Sequence, residues 1–212
     1  GTNGTILHYD GERWNTMISG AVWDLYGVGG GSPMDVFSVG GYGTILNSDG
    51  VYSSLESDTD RAEWFLRRFY RYVYEVDLPQ FIYIKLPGDR WDYPYDDSAR
   101  QRVKDSDIAL GRIVEAISDS KYWKDTAIFV TQSNTQPGWD HIDGHRSFCL
   151  VISPYAKKGY VSSMQYSYIN ILKTIELILG LPAMSQYDDN ALAMTDCFTP
   201  GPNFTPFNAI TE

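Results

Sequence analysis

The pattern of apolar and polar positions changes near residue 57. Before that point, short apolar runs are separated by Gly, Ser and Pro, which is typical of strands joined by turns. After it, apolar residues recur at helical spacing in some segments and form short continuous runs in others. The first part contains strand-like runs at Arg13–Met17, Trp23–Val28 and Asp35–Val39. The second part predicts helices over Asp58–Glu75, Asp97–Ser118 and Ser167–Leu179, and strands over Gln80–Leu86, Thr126–Thr131 and Ser147–Ser153.

The end signals of these elements support the assignment. Ser57 and Asp58 can cap the first helix, and Gly180 followed by Pro182 ends the last one. Strands that alternate with helices predict an α/β layer with a mostly parallel sheet. In such sheets, functional residues gather at the carboxyl ends of the strands.

The first 50 residues contain an internal repeat. The segment 4–11 (GTILHYDG) returns at 43–50 as GTILNSDG, an offset of 39 residues. Four short strands in such a repeat predict a blade of a β-propeller, and the segment resembles bacterial repeats of that type. His8 is expected to be structural. The predicted domains are therefore a small all-β, propeller-blade-like segment over residues 1–56 and an α/β domain over residues 57–212.

Charge and composition exclude some classes of function. The net charge of −10 argues against nucleic acid as a partner, because phosphate binding needs a basic surface. No apolar stretch is long enough to predict a transmembrane segment, and no signal peptide is visible. Cys149 lies in an apolar run and is predicted to be buried in a strand, while its pairing with Cys197 is left open.

The densest set of metal-ligand residue types lies between the predicted strands Thr126–Thr131 and Ser147–Ser153. Asp140, His141, Asp143 and His145 lie within six residues, and a loop can fold such side chains toward one point. Carboxylates suit hard divalent ions, and zinc-like ions also accept imidazole. The alternative is that one of the two Asp side chains pairs with Arg146.

A family resemblance favours the interpretation of these residues as part of a metal site. The stretch from Asp58 to Pro206 resembles the bacterial phosphoesterases related to acid phosphatases and phospholipases C, of the alkaline phosphatase superfamily. The resemblance rests on four segments: LPQFIYIKLPGD, VKDSDIALGRIVEAISDSKYWKDTAIFVTQ, DHIDGHRSFCLVISPYAKKG and YINILKTIELILGLPAMSQYDDNALAMTDCF.

This resemblance implies an alkaline-phosphatase-like α/β sandwich and hydrolysis of a phosphoester at a two-metal site. It implies residual metal ligands in this chain, expected to be weakly occupied: Asp89, Asp140, His141 and His145. It also implies that the nucleophile and first ligands come from an N-terminal half of the family fold that has no counterpart here. If the site is active, the cofactor is a pair of zinc, manganese or calcium ions; no cofactor is otherwise expected.

Two departures from the family pattern predict a damaged site. Relatives carry His and Thr after the Asp that matches Asp89, whereas this chain carries Arg90 and Trp91. Relatives also carry an acidic trio after the next strand, where this chain has Gln, Ser and Asn at residues 132–134. Neutral oxygens hold hard dications less tightly than carboxylates do. Arg90 and Arg146 can instead hold a phosphate or form ion pairs.

The segment after Asp89 is rich in the residues that dominate protein interfaces. Trp91, Tyr93 and Tyr95 predict a contact surface for other protein chains, and the alternative is a loop that fills the vacated site. Partners are expected to be further copies of this chain or a separate chain that completes the fold, because a lone blade leaves strand edges unpaired.

Two functions therefore compete. The first is a phosphoesterase-derived domain with impaired or lost hydrolysis that serves as a scaffold or interaction module. The second is an active metal-dependent phosphoester hydrolase whose nucleophile and remaining ligands come from a missing N-terminal part or another chain. The resemblance places either one in the bacterial periplasm or outside the cell.

Overall fold

The structure is a computed structural model, and it describes side chains for residues 57–74, 77–86, 88, 100–132 and 145–210. It describes the backbone alone for six strands near the N-terminus and for residues 97–99. The chain divides into two compact units, residues 1–113 with 209–212, and residues 114–208. The predicted domains, 1–56 and 57–212, are divisions by sequence resemblance. The compact units do not test them, and they stay predictions.

The six N-terminal strands form two antiparallel sheets. They are β1 (Ile6–Tyr9), β2 (Trp14–Met17), β3 (Leu25–Ser32), β4 (Asp35–Gly40), β5 (Ile45–Asn47) and β6 (Gly50–Tyr52). Strand β1 pairs with β2, and β3 to β6 pair in chain order. Each copy of the repeat begins a strand at its Ile, namely β1 and β5. The assignment to a propeller stays a prediction.

Helix α1 (Asp58–Tyr74) begins where the sequence predicts, and its predicted last residue, Glu75, lies outside the described residues. The Ser57 hydroxyl accepts a hydrogen bond from the Asp60 amide at 3.1 Å and so caps the helix. Ala62, Phe69 and Tyr72 recur at helical spacing and are buried. Their burial stabilises the helix more than its intrinsic propensity does.

Helix α2 (Asp97–Ser118) has the bounds that the sequence predicts. Ala109, Ile113, Val114 and Ile117 recur at helical spacing and are buried, whereas Val103 is 58% exposed. Between these positions, Asp105 and Ser106 form hydrogen bonds with Asp58 at the start of α1.

The predicted strand over Gln80–Leu86 is wrong. These residues are extended but belong to no described ladder. Phe81, Ile82 and Tyr83 are all exposed. An apolar run of β-type residues predicts an extended backbone, but a strand also needs a neighbour that accepts its backbone hydrogen bonds.

The two strands of the second unit are β7 (Ile128–Thr131) and β8 (Cys149–Ile152). Both lie within the predicted ranges and pair antiparallel, from Ile128 with Ile152 to Thr131 with Cys149. All described strand pairs are antiparallel, so the mostly parallel sheet is wrong for the described strands. Cys149 is exposed rather than buried, because β8 pairs only with β7 among the described strands and its first residues have no covering layer.

Helix α3 (Tyr168–Leu179) confirms the predicted helix and its end signals. The Asn170 side chain accepts a hydrogen bond from the Ser167 amide at 2.7 Å at its start. Gly180 ends it in the left-handed region at φ 66°, and the Leu181 amide donates to the Glu176 carbonyl at 2.8 Å. A short helix, α4 (Gln186–Asp189), follows.

Short 3₁₀ turns at Trp123–Asp125 and Thr195–Cys197 complete the second unit. Among the described helices, none combines the length and the apolar character needed to cross a membrane. Helices and small sheets together agree with the predicted α/β class, while the sandwich arrangement stays a prediction.

Candidate functional site

Most of the predicted site residues lie outside the described part of the chain. These are the predicted ligands and contact residues Asp89, Arg90, Trp91, Tyr93, Tyr95, Asp140 and His141. His145 and Arg146 are described and both are exposed, and their predicted roles as metal and phosphate ligands stay predictions. The described residues that flank the predicted site are Gly88, one residue before Asp89, and Gln132, directly after β7.

Gln132 occupies the position where the family resemblance implies the first acid of the trio. Its side-chain Oε1 accepts a hydrogen bond from the Ser147 hydroxyl at 2.8 Å. Its backbone carbonyl accepts a short hydrogen bond from the Tyr168 hydroxyl. The side chain of Thr131 donates to the Phe148 carbonyl at 2.9 Å. The end of β7 is therefore tied to the segment before β8 and to the start of α3.

This arrangement decides what Gln132 can do chemically. An amide oxygen carries no formal charge, and this one already accepts a hydrogen bond from Ser147. Hard dications are held mainly by carboxylates. Gln132 therefore brings no negative charge to the metal site that the resemblance implies, and the neutral residues at 133 and 134 of the sequence bring none either.

In the first unit, Asp58 holds the turn at Gly88, one residue before Asp89. The Asp58 carboxylate is fully buried. It accepts hydrogen bonds from the Gly88 amide at 3.1 and 3.0 Å, one to each oxygen, and from the Ser106 hydroxyl at 2.5 Å. The Arg61 guanidinium donates to it at 2.8 Å and forms a buried ion pair with it. Both oxygens of this buried carboxylate have hydrogen-bond donors, which offset the free-energy cost of burying its charge.

Helix α2 fixes the start of α1 through a second acid. The Asp105 carboxylate accepts from the Asp58 amide and from the Thr59 hydroxyl, both at 2.7 Å. Sequence reasoning missed this network, since it assigned Asp58 only a capping role. Asp105 lies in the predicted helix without a sequence-local partner, so no signal in the sequence pointed to this contact.

In the second unit, Asp196 collects four donors. Its carboxylate accepts from the hydroxyls of Tyr160 at 2.9 Å, Ser162 at 2.5 Å and Tyr166 at 2.5 Å, and from the Cys197 thiol at 3.6 Å. The Ser162 and Tyr166 hydrogen bonds hold the pKa of Asp196 well below its usual range. The hydrogen bond to Asp196 in turn raises the pKa of Tyr166 to about 12. This cluster ties the segment 160–166 to the C-terminal part of the unit.

Glu176 and Asp188 are the buried acids of α3 and α4. Asp188 accepts from the Met184 amide at 2.6 Å, from the Ser185 amide at 3.2 Å and from the Ser185 hydroxyl at a shorter distance. The Ser185 hydroxyl is the main reason that the pKa of Asp188 is held well below its usual range. Glu176 is 3% exposed. Burial, and after it the neighbouring Asp188, raises the pKa of Glu176.

The cysteines and acids of the described residues make no further site. Cys149 and Cys197 are free thiols. Burial first, and then Asp196, raises the pKa of Cys197 to about 11, so it is protonated at neutral pH. Within the described ranges, no group of three or more His, Cys, Asp or Glu side chains is arranged to hold a metal ion.

Comparison with known proteins gives one match. The sequence model of the Phosphoesterase family matches residues 18–182, more than half of the chain. No curated protein and no solved structure matches.

Proposed function

The chain belongs to the Phosphoesterase family, and we propose that it is a phosphoesterase-derived domain with impaired or lost hydrolysis that serves as a scaffold or interaction module. The observation that carries this proposal is the hydrogen bonding of Gln132. At the strand end where the resemblance implies a metal-binding acid, a neutral amide links β7 to Ser147. A residue in this role stabilises the fold and contributes no charge to a metal site.

Electrostatics supports the same proposal. Replacement of the acidic trio by Gln, Ser and Asn removes up to three negative charges from the cage that the resemblance implies. Arg90 adds a positive charge beside Asp89, and a guanidinium stays charged at all physiological pH values. Two metal-bound dications need that negative charge to stay close together and to polarise a phosphate.

The interaction role is supported by apolar surface on the second unit. Helix α3 buries the polar Thr174 and Glu176 while Leu177 and Ile178 are more than half exposed. Val161 and Met184 are exposed as well. Leu177 and Ile178 are neighbours on one exposed helix surface, and such apolar positions can contact a protein partner. We propose a second copy or a separate chain as that partner, with Trp91, Tyr93 and Tyr95 as further contact residues.

Turnover of an aryl phosphate tests the loss of hydrolysis. The full chain is assayed with zinc, manganese and calcium in turn, with and without a chelator. We expect no turnover above the background with any of the three metals. Chelator-sensitive turnover that rises with enzyme concentration would contradict the proposal.

A charge-restored variant makes the test sharper. It combines Gln132→Glu, Ser133→Asp, Asn134→Asp and Arg90→His. We expect it to bind Mn²⁺ at least about tenfold more tightly than the natural chain, because it regains the charges that hold dications. The matched control is Gln101→Glu, which adds an acid at an exposed position of α2. Equal affinity of all three proteins would count against the charge explanation.

A second candidate is an active metal-dependent hydrolase completed by another chain. The hydrogen bonds that the Gly88 amide donates to the Asp58 carboxylate favour it, because they hold the residue next to Asp89 in place. Under this alternative, the ligands are Asp89, Asp140, His141 and His145, and His145→Ala lowers turnover at least about a hundredfold. Either candidate is proposed to act in the bacterial periplasm or outside the cell.

A further inference from the structure

The Asp58 carboxylate lies between three separate parts of the first unit. It is the first residue of α1, it receives Ser106 from α2, and it receives the Gly88 amide from the turn before Asp89. Its exposed fraction is 0%. A buried carboxylate interacts strongly with each of these donors, because little water competes for them.

The absence of a side chain at residue 88 is a condition for this contact. A Cβ built on Gly88 would lie 2.7 Å from Asp58 Oδ2 and 2.9 Å from Asp58 Cγ. Such a distance is far inside van der Waals contact, and the atoms met are those of a buried, fully bonded carboxylate. Gly88 is therefore required here for close approach, and no positive φ is involved.

The partners of Asp58 prevent it from moving away. Arg61 pairs with Oδ1 at 2.8 Å and is itself 1% exposed. The Asp58 amide is held by Asp105 of α2 at 2.7 Å. Because both the main chain and the side chain of Asp58 are fixed, the carboxylate acts as a rigid acceptor to which the turn is bound.

We propose that Asp58 is a positioning residue, which fixes the Gly88 peptide and thereby the direction in which the chain enters Asp89. The proposal deepens the function proposed above, since it rests on Asp89 belonging to the ancestral site. It assigns to α1 and α2 the task of holding the Gly88 peptide. Binding of a cation or a phosphate beside Asp89 then depends on Asp58, although Asp58 contacts neither ligand.

Hydrogen exchange at the Gly88 amide tests the contact itself. In the natural chain this amide is expected to exchange slowly, and Asp58→Ala is expected to speed its exchange at least about tenfold. The matched control is Ser106→Ala, which removes another donor to the same carboxylate and leaves the Gly88 bonds in place. Amides in the middle of α1, such as that of Phe69, report whether a variant has lost the helix.

A result in which Gly88 exchanges as fast in the natural chain as in Asp58→Ala would overturn the proposal. So would equal acceleration at Gly88 and at Phe69, because Asp58 would then stabilise the whole helix rather than the turn. If Asp58→Ala fails to fold, Gly88→Ala replaces it. This variant displaces the turn without removing a charge, and its exchange is compared at the neighbouring Leu86.

Binding of Mn²⁺ tests the positioning role. Gly88→Ala is introduced into the charge-restored variant, with Gly111→Ala as the control, since a Cβ there meets only Ala209 at 3.4 Å. We expect Gly88→Ala to weaken Mn²⁺ binding about tenfold and Gly111→Ala to leave it unchanged. Equal weakening by both would overturn the positioning role. If the charge-restored variant binds no Mn²⁺, the charge explanation fails, and the exchange experiment still decides the proposal.

Discussion

Individual carboxylates in this chain are stabilised in contrasting ways. Asp58 is buried and has three donor residues, among them a guanidinium. Asp196 has three hydroxyl groups and a thiol. Glu176 is buried, and among the described residues neither of its oxygens has a hydrogen-bond donor. Burial of a carboxyl group disfavours its charged form.

This difference predicts a pH-dependent stability. Burial raises the pKa of Glu176 above its ordinary value of 4.5 in the folded protein. The folded state therefore binds the proton more tightly than the unfolded state. The resulting contribution to stability is complete below the unfolded pKa and is lost as the pH rises through the raised folded pKa.

We expect Glu176→Gln to remove that loss. As the pH rises from 4 to 8, the unfolding temperature of the natural chain is expected to fall relative to that of Glu176→Gln. The measurement is thermal unfolding followed by circular dichroism across this range. The control is Glu63→Gln, because Glu63 is exposed. Parallel pH profiles for the natural chain and Glu176→Gln would contradict the account.

At the scale of elements, helices were predictable because their signals are local. Ser57 and Ser167 begin α1 and α3, and Gly180 ends α3, where the sequence predicts these ends. Strand pairing was not predictable, because it depends on partners distant in sequence. Residues 80–86 are extended without a described partner, and β7 and β8 pair antiparallel where a parallel sheet was predicted.

The same reasoning applies to the candidate site. The substitutions at 132–134 could be seen in the sequence against the family pattern, but the bond from Ser147 to Gln132 needs the fold. The contact of Asp58 with Gly88 spans 30 residues and leaves no periodic trace. Polar contacts of this kind are specified by geometry rather than by composition.

The end of α3 provides a test at the element scale. Gly180 has a φ of 66°, which a residue with a Cβ adopts only with strain, although nothing lies within 4 Å of the added atom. We expect Gly180→Ala to lower the free energy of unfolding by about 1 kcal/mol. In urea denaturation, Gly111→Ala in the interior of α2 should instead raise it by about 0.5–1 kcal/mol. Unchanged stability of Gly180→Ala would contradict this account of the helix end.

At the scale of the whole molecule, many large apolar side chains of the described residues are exposed. The two-stranded sheet of β7 and β8 is small for independent stability, and β8 exposes Leu150. We expect the isolated chain to self-associate in light scattering. Leu177→Lys together with Ile178→Lys should lower the apparent mass, whereas Ser163→Lys, at another exposed position, should not. A monodisperse monomer at all concentrations would contradict this expectation.

The central claim is that the ancestral metal cage has lost the negative charge it needs. Its most direct test is the stoichiometry of bound metal in the full chain, measured by elemental mass spectrometry after equilibration with zinc, manganese or calcium and removal of free ions. The account predicts well below one equivalent of each metal per chain. Two tightly bound equivalents of any one of them, retained by the natural side chains, would contradict it.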